Sequence, residues 1–125
     1  MIMENRKYDI QERLIKFSSM IVSLAESMPV NQAGKYLSGQ IIRSGMSTAL
    51  NYGEAQDAES VNDFIHKMRI SLKELRETLI ALKIIEVKPM TKNTNLLNNC
   101  IIECNELISI FAKSIKTAQK PKSTK

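Results

Sequence analysis

Tryptophan is absent from this chain, histidine occurs once, cysteine twice and proline three times. Each scarcity excludes something. One histidine, His66, and two cysteines, Cys100 and Cys104, cannot build a Cys/His zinc cluster, because the second ligand pair is missing. His66 has no nucleophile or acidic partner at a spacing that marks acid–base catalysis, so it reads as a surface or boundary residue. No Glu-x-x-His pair, the metal-holding motif of helical bundles, occurs. The chain is therefore expected to be no enzyme, with no catalytic residue, no metal and no cofactor. No apolar run reaches the roughly 18 residues that a membrane span needs. The first residues, Met1-Ile-Met-Glu-Asn-Arg-Lys-Tyr-Asp9, contain no apolar core of a signal peptide. With two cysteines suited to a reducing compartment, the expected location is cytoplasmic.

What is present is helical periodicity. Ile10, Leu14, Phe17, Ile21, Leu24 and Met28 step 4-3-4-3-4, a sustained amphipathic stripe. Asp9 and Glu12 resemble a capping box that opens this helix, and Met28-Pro29 closes it. A second helix reads from Gln32 to Ala55, with Leu37, Ile41, Thr48 and Ala55 inward. A third, capped by Ser60 with Asp63 three residues on, places Val61, Ile65, Met68, Leu72, Leu75, Leu79 and Leu82 on one face. A fourth repeats Leu97, Ile101, Cys104, Ile108, Phe111 and Ile115, with Cys100 at the stripe's edge, and the two thiols read as core filling. The expected helices are about 9–28, 32–55, 61–87 and 94–118, each roughly 30–40 Å long at about 1.5 Å per residue. Short connections between long matched helices predict an all-α, antiparallel, up-down-up-down four-helix bundle over residues 1–118. The string 119–125 has almost no apolar residue and is expected to be a disordered basic tail.

The second helix is unusual. All four glycines fall within Gly34–Gly53, although a glycine inside a helix costs about 1 kcal/mol relative to alanine. The spacing resembles a phosphate loop only superficially: Gly39 is followed by Gln40, not Lys, and no strand precedes it. Gly45, Ala49 and Gly53 recur every four residues, so they are expected to line a close-packed seam, within or between subunits. Arg43, Asn51 and Glu54 flank it and are expected to bond across helices or subunits; the bland alternative is solvated charge.

The net charge is +5, but residues 1–112 hold thirteen basic and thirteen acidic side chains. The excess lies in Lys113, Lys116, Lys120, Lys122 and Lys125. On the third helix, at about 100° per residue, Arg69, Lys73, Arg76 and Lys83 cluster within about 80° of arc. Both groups are candidates for contact with RNA or DNA phosphates, against the alternative of a solvated face or of neighbour-paired charge. No aromatic is interleaved with the tail lysines to stack bases.

The segment Gln40-Ile-Ile-Arg-Ser-Gly-Met-Ser-Thr-Ala-Leu-Asn-Tyr-Gly-Glu-Ala55 resembles the signature of small four-helix-bundle proteins encoded in 23S rRNA intervening sequences. Asp63-Phe-Ile-His-Lys-Met-Arg-Ile-Ser-Leu-Lys-Glu-Leu-Arg-Glu-Thr78 is similar to that family's third helix. The match runs through Arg43-Ser44-Gly45, Asn51, Glu54-Ala55, Phe64-Ile65 and Lys73-Glu74. Leu79-Ile-Ala-Leu82 departs from it, where the family often has aromatics, and so does Met46, where a threonine is usual. The resemblance implies a homopentameric ring without catalytic activity. It is also related to accessory proteins of diversity-generating retroelements, basic pentamers that work with a reverse transcriptase and nucleic acid. The expected partners are therefore further copies of the chain, RNA or DNA, or an enzyme acting on nucleic acid, and no membrane. The alternative is a protein–protein scaffold with no nucleic-acid role.

Overall fold

The computed structural model describes residues 2–121, with side chains from residue 9 onward. Four helices follow in order: α1 (Ile2–Glu26), α2 (Gln32–Gln56), α3 (Val61–Val87) and α4 (Thr94–Gln119). No strand occurs among the described residues. Each helix packs on its two neighbours in a closed square of α1–α2, α2–α3, α3–α4 and α1–α4 pairs. The α1–α4 seam is the thinnest of the four. It is clamped by Arg13, which donates to Glu103 at 2.8 and 2.9 Å and to Glu106 at 2.7 Å. Those hydrogen bonds, Glu103 foremost, hold the Arg13 guanidinium above its usual pKa.

Local chemistry explains the breaks between helices. Asn31, Ser60 and Asn93 each accept a backbone N–H from the third residue onward, the N-cap geometry that satisfies otherwise orphaned donors. At one end of the bundle the α1–α2 and α3–α4 loops are tied by Ser27 Oγ and Thr91 Oγ1, 2.7 Å apart. The capping box expected at Asp9 and Glu12 is not formed. Helix α1 runs back to Ile2, so Asp9 lies in the helix interior; the preceding Glu-Asn-Arg-Lys run contains good helix formers that nothing breaks.

The core follows the apolar stripes with shifts. Leu14, Phe17, Ile21 and Leu24 of α1 and Leu37 and Ile41 of α2 are buried. On α3 the stripe rotates: Val61 is 52% exposed and Leu79 only half-buried, while Ser71, Thr78, Ala81 and Ile85 point inward. On α4 Cys100 and Leu107 are fully buried, and Ile101 and Ile108 sit at the edge. A helix at 3.6 residues per turn drifts from a strict heptad by about 20° per seven residues, so a long stripe walks off the core. Tyr52 reaches across to Phe111, with ring centroids 5.7 Å apart and tilted by 60°.

The α2–α3 seam is polar inside. The hydroxyls of Ser44 and Thr78 are 2.6 Å apart, Thr78 donates to the Glu74 carbonyl, and Ser71 donates to the Thr48 carbonyl. Because Thr78 spends its one proton on Glu74, Ser44 is the donor of the pair. Small hydroxylated residues let two helices approach closely while Ser44, Thr48, Ser71 and Thr78 each keep a hydrogen-bond partner.

Candidate nucleic-acid interface

Helix α3 sorts its charges by neighbour. Glu74 and Glu77 face α2, where Arg43 meets them at 3.2 and 2.9 Å. The hydrogen bond to Glu77 and the charge of Glu74 raise the Arg43 pKa further. Arg69, Lys73 and Arg76 face the other way, toward α4. There they line an open groove of about 890 Å³ with Lys113 and Lys116. Leu72, Ile80, Ala112 and Ile115 form its floor. Glu77 is the one carboxylate on its margin, and Arg43 already holds it. The groove is a cationic trough with an apolar floor.

The convergence has a simple cause. Residues 69, 73 and 76 step 4-3 along α3, and 113 and 116 step three along the antiparallel α4, so both sets flank one seam. Neither set alone outlines a groove; the pairing across the seam does, and it depends on tertiary structure. Lys83, expected with the α3 stripe, is exposed but lies outside the groove. Lys120 is the C-cap of α4. Lys122 and Lys125 lie outside the described residues. A hollow of about 1060 Å³ at the loop end carries only Lys88 and Lys92 among cations.

The small-residue seam on α2 is divided. A Cβ at Gly45 would sit 3.2 Å from Ile21 of α1, so this glycine does serve close packing. Ala49 is half-buried, and Gly53 is exposed with nothing within 4 Å of a Cβ. The three do not form one continuous contact inside the subunit. Asn51 bonds within its own helix, to the Ser47 carbonyl and hydroxyl at 2.9 Å. Glu54 is 3.9 Å from Lys67 of α3, a loose surface pair. The most demanding glycine was not marked by the four-residue spacing. A Cβ at Gly34 would lie 2.0 Å from the Pro29 carbonyl oxygen, and Gly34 N–H donates to the Asn31 cap at 2.7 Å.

Among the described residues no group of three or more His, Cys, Asp or Glu could hold a metal ion. No described helix is long and apolar enough to cross a membrane. Burial pushes the Cys100 and Cys104 thiols up to about 11 and about 12, and Cys104 donates to the Leu75 carbonyl at 3.3 Å.

A four-membered, closed helical bundle with a hydroxyl-lined α2–α3 seam defines the class. Residues 6–113 match the family model of the 23S rRNA-intervening sequence protein, and the chain belongs to that family. It is also similar to a crystal structure of a protein with unknown function from the S23 ribosomal protein family of Bacteroides thetaiotaomicron. That likeness has 29% identity and a TM-score of 0.72, over 86% of this chain and 98% of the other. No curated protein matches.

Proposed function

We propose that this chain is a non-enzymatic, self-assembling protein that binds the phosphate backbone of RNA or DNA along the α3–α4 groove. The observation that carries the reading is the meeting of Arg69, Lys73 and Arg76 with Lys113 and Lys116 in one trough. Five cations without a free carboxylate suit a polyanion and need no base contacts. Lys83, Lys120, Lys122 and Lys125 would extend the field. The family resemblance supports assembly as a ring of five, and a ring would multiply a weak patch through avidity. A cytoplasmic setting fits this role.

Titration of a labelled single-stranded RNA at rising salt tests it. Binding at low salt that weakens linearly in log–log form, by about 0.7 per phosphate contact for a single strand, is expected. No retention at low salt would sink the reading.

One observation favours a second reading. The groove floor is aliphatic and holds no aromatic on which bases could stack. An acidic amphipathic helix of a partner protein would also fit, which is the scaffold alternative. A partner retained after nuclease treatment, with RNA failing to compete, would favour it.

A further inference from the structure

The α3–α4 groove is amphipathic, and this restricts the form of polyanion that suits it. Arg69, Lys73 and Arg76 stand on one rim and Lys113 and Lys116 on the other, all five exposed. Among the described residues none of the five enters an ion pair. Between the rims lies the aliphatic floor. Leu72 and Ile115 are buried there, Ala112 is half-buried and Ile80 is 63% exposed. Ser109 and Gln119 are the uncharged polar residues of the lining, and its one carboxylate, Glu77, is held by Arg43 at 2.9 Å. Packed helices lie about 8–10 Å apart axis to axis. The trough between them is narrower than a duplex, whose major groove alone is about 12 Å across.

We infer that the groove takes nucleic acid as a single strand and discriminates against duplex. This rests on the nucleic-acid reading of the groove and specifies the form of the ligand. A duplex turns its bases inward and offers the trough only phosphate and sugar. Charged, hydrated groups would then be set over Leu72, Ile80, Ala112 and Ile115, at a desolvation cost that nothing on the floor offsets. A splayed single strand is itself amphipathic. Its phosphates reach the cations of both rims while base faces and sugars cover the floor. The floor holds no aromatic, so its share is the burial of apolar surface, without base preference, and the phosphates still set the salt slope. Charge alone gives the opposite order. A duplex carries one charge per about 1.7 Å of axis, against about 3.4 Å for one strand, so a merely cationic surface holds duplex more tightly at low salt. Preference for the single strand therefore reports the floor.

Binding of a labelled single-stranded RNA and of the blunt duplex formed from it, at low salt and with the full chain, tests the inference. The single strand should bind more tightly despite its lower charge density. Ile80 is the floor residue that can be changed without opening the core, because it is exposed. Ile80→Ser should weaken single-strand binding several-fold with the salt slope unchanged, since no phosphate contact is lost. Ile80→Tyr gives the floor a ring on which a base can stack. It should tighten single-strand binding by about fivefold or more and leave duplex binding as it was. Circular dichroism should show the same helical content in both variants. Duplex bound as tightly as the single strand or more tightly, and lost on Arg76→Glu with Lys116→Glu, overturns the inference and leaves the groove reading standing. A single-strand preference that neither Ile80 variant moves also overturns it, because the floor would not be what selects. No binding of either form at low salt, or binding that the two groove substitutions leave unchanged, overturns the reading and the inference together.

Discussion

At the scale of single residues, the Ser44–Thr78 pair separates the loss of a donor from the loss of an acceptor. Ser44→Ala removes the donor, and Thr78 keeps its bond to Glu74, so the cost should be about 1 kcal/mol. Thr78→Val strands the buried Ser44 hydroxyl and should cost about 1–3 kcal/mol. The double variant should cost less than the two single losses together, because the stranded group is gone. Urea unfolding midpoints would show the order, and a cheaper Thr78→Val would reverse the assigned donor. The glycines divide in the same way. Gly34→Ala drives a Cβ against the Pro29 carbonyl and should destabilise by about 1–3 kcal/mol. Gly53→Ala meets nothing and should stabilise the subunit by up to about 1 kcal/mol through helix propensity. Thermal unfolding of the two variants reads both signs. The buried thiols predict a pH limit. Their folded pKa values lie above the ordinary 9.0, at about 11 and about 12, so the folded state holds protons that the unfolded chain has released. Stability is then fully present below about pH 9 and falls above it, by up to about 1.4 kcal/mol per pH unit for each thiol. A Cys100→Ala, Cys104→Ala chain should lose this alkaline dependence.

At the scale of helices, α3 joins two neighbours of opposite demand. Glu74 and Glu77 serve α2, and Arg69, Lys73 and Arg76 serve the groove. Arg43 holds Glu74 and Glu77 on the α2 side, so Arg43→Ala should release negative charge beside the groove. RNA affinity should fall several-fold with helical content intact; unchanged affinity would detach Arg43 from the groove's field. How far this was legible in the sequence follows from periodicity. Apolar repeats marked α1, α3 and α4, and the sparser set Leu37, Ile41, Thr48 and Ala55 marked α2, because a side chain's face depends on spacing. The inward turn of Ser71 and Thr78 was not legible, since hydroxyls carry no apolar signal, and Val61 was misplaced because the stripe drifts along a long helix. For the groove, the α3 stripe and the C-terminal lysines were each visible. Their alignment was not, because it depends on how α3 and α4 settle against one another. The glycine pattern was read as one seam. It is divided between Gly45, which meets Ile21, and Gly53, which faces open space.

At the scale of the whole molecule, the bundle separates two surfaces. The α3–α4 groove is cationic and faces away from α2, whose outer face carries exposed Tyr36, Met46 and Leu50 among the charged Lys35, Arg43 and Glu54. On the proposed reading, assembly would raise the number of grooves presented to one strand. The central claim is that the groove, rather than net charge, binds the nucleic acid. The direct test compares two doubly charge-reversed chains of equal net charge. One carries Arg76→Glu and Lys116→Glu in the groove; the other carries Lys16→Glu and Lys92→Glu outside it. With labelled single-stranded RNA across a salt series, the groove variant should lose binding and lower the log–log salt slope by about 1.4, two contacts at about 0.7 each. The outer variant should stay close to wild type. Equal loss in the two chains would contradict the account, because the groove would then contribute no more than its share of the total charge.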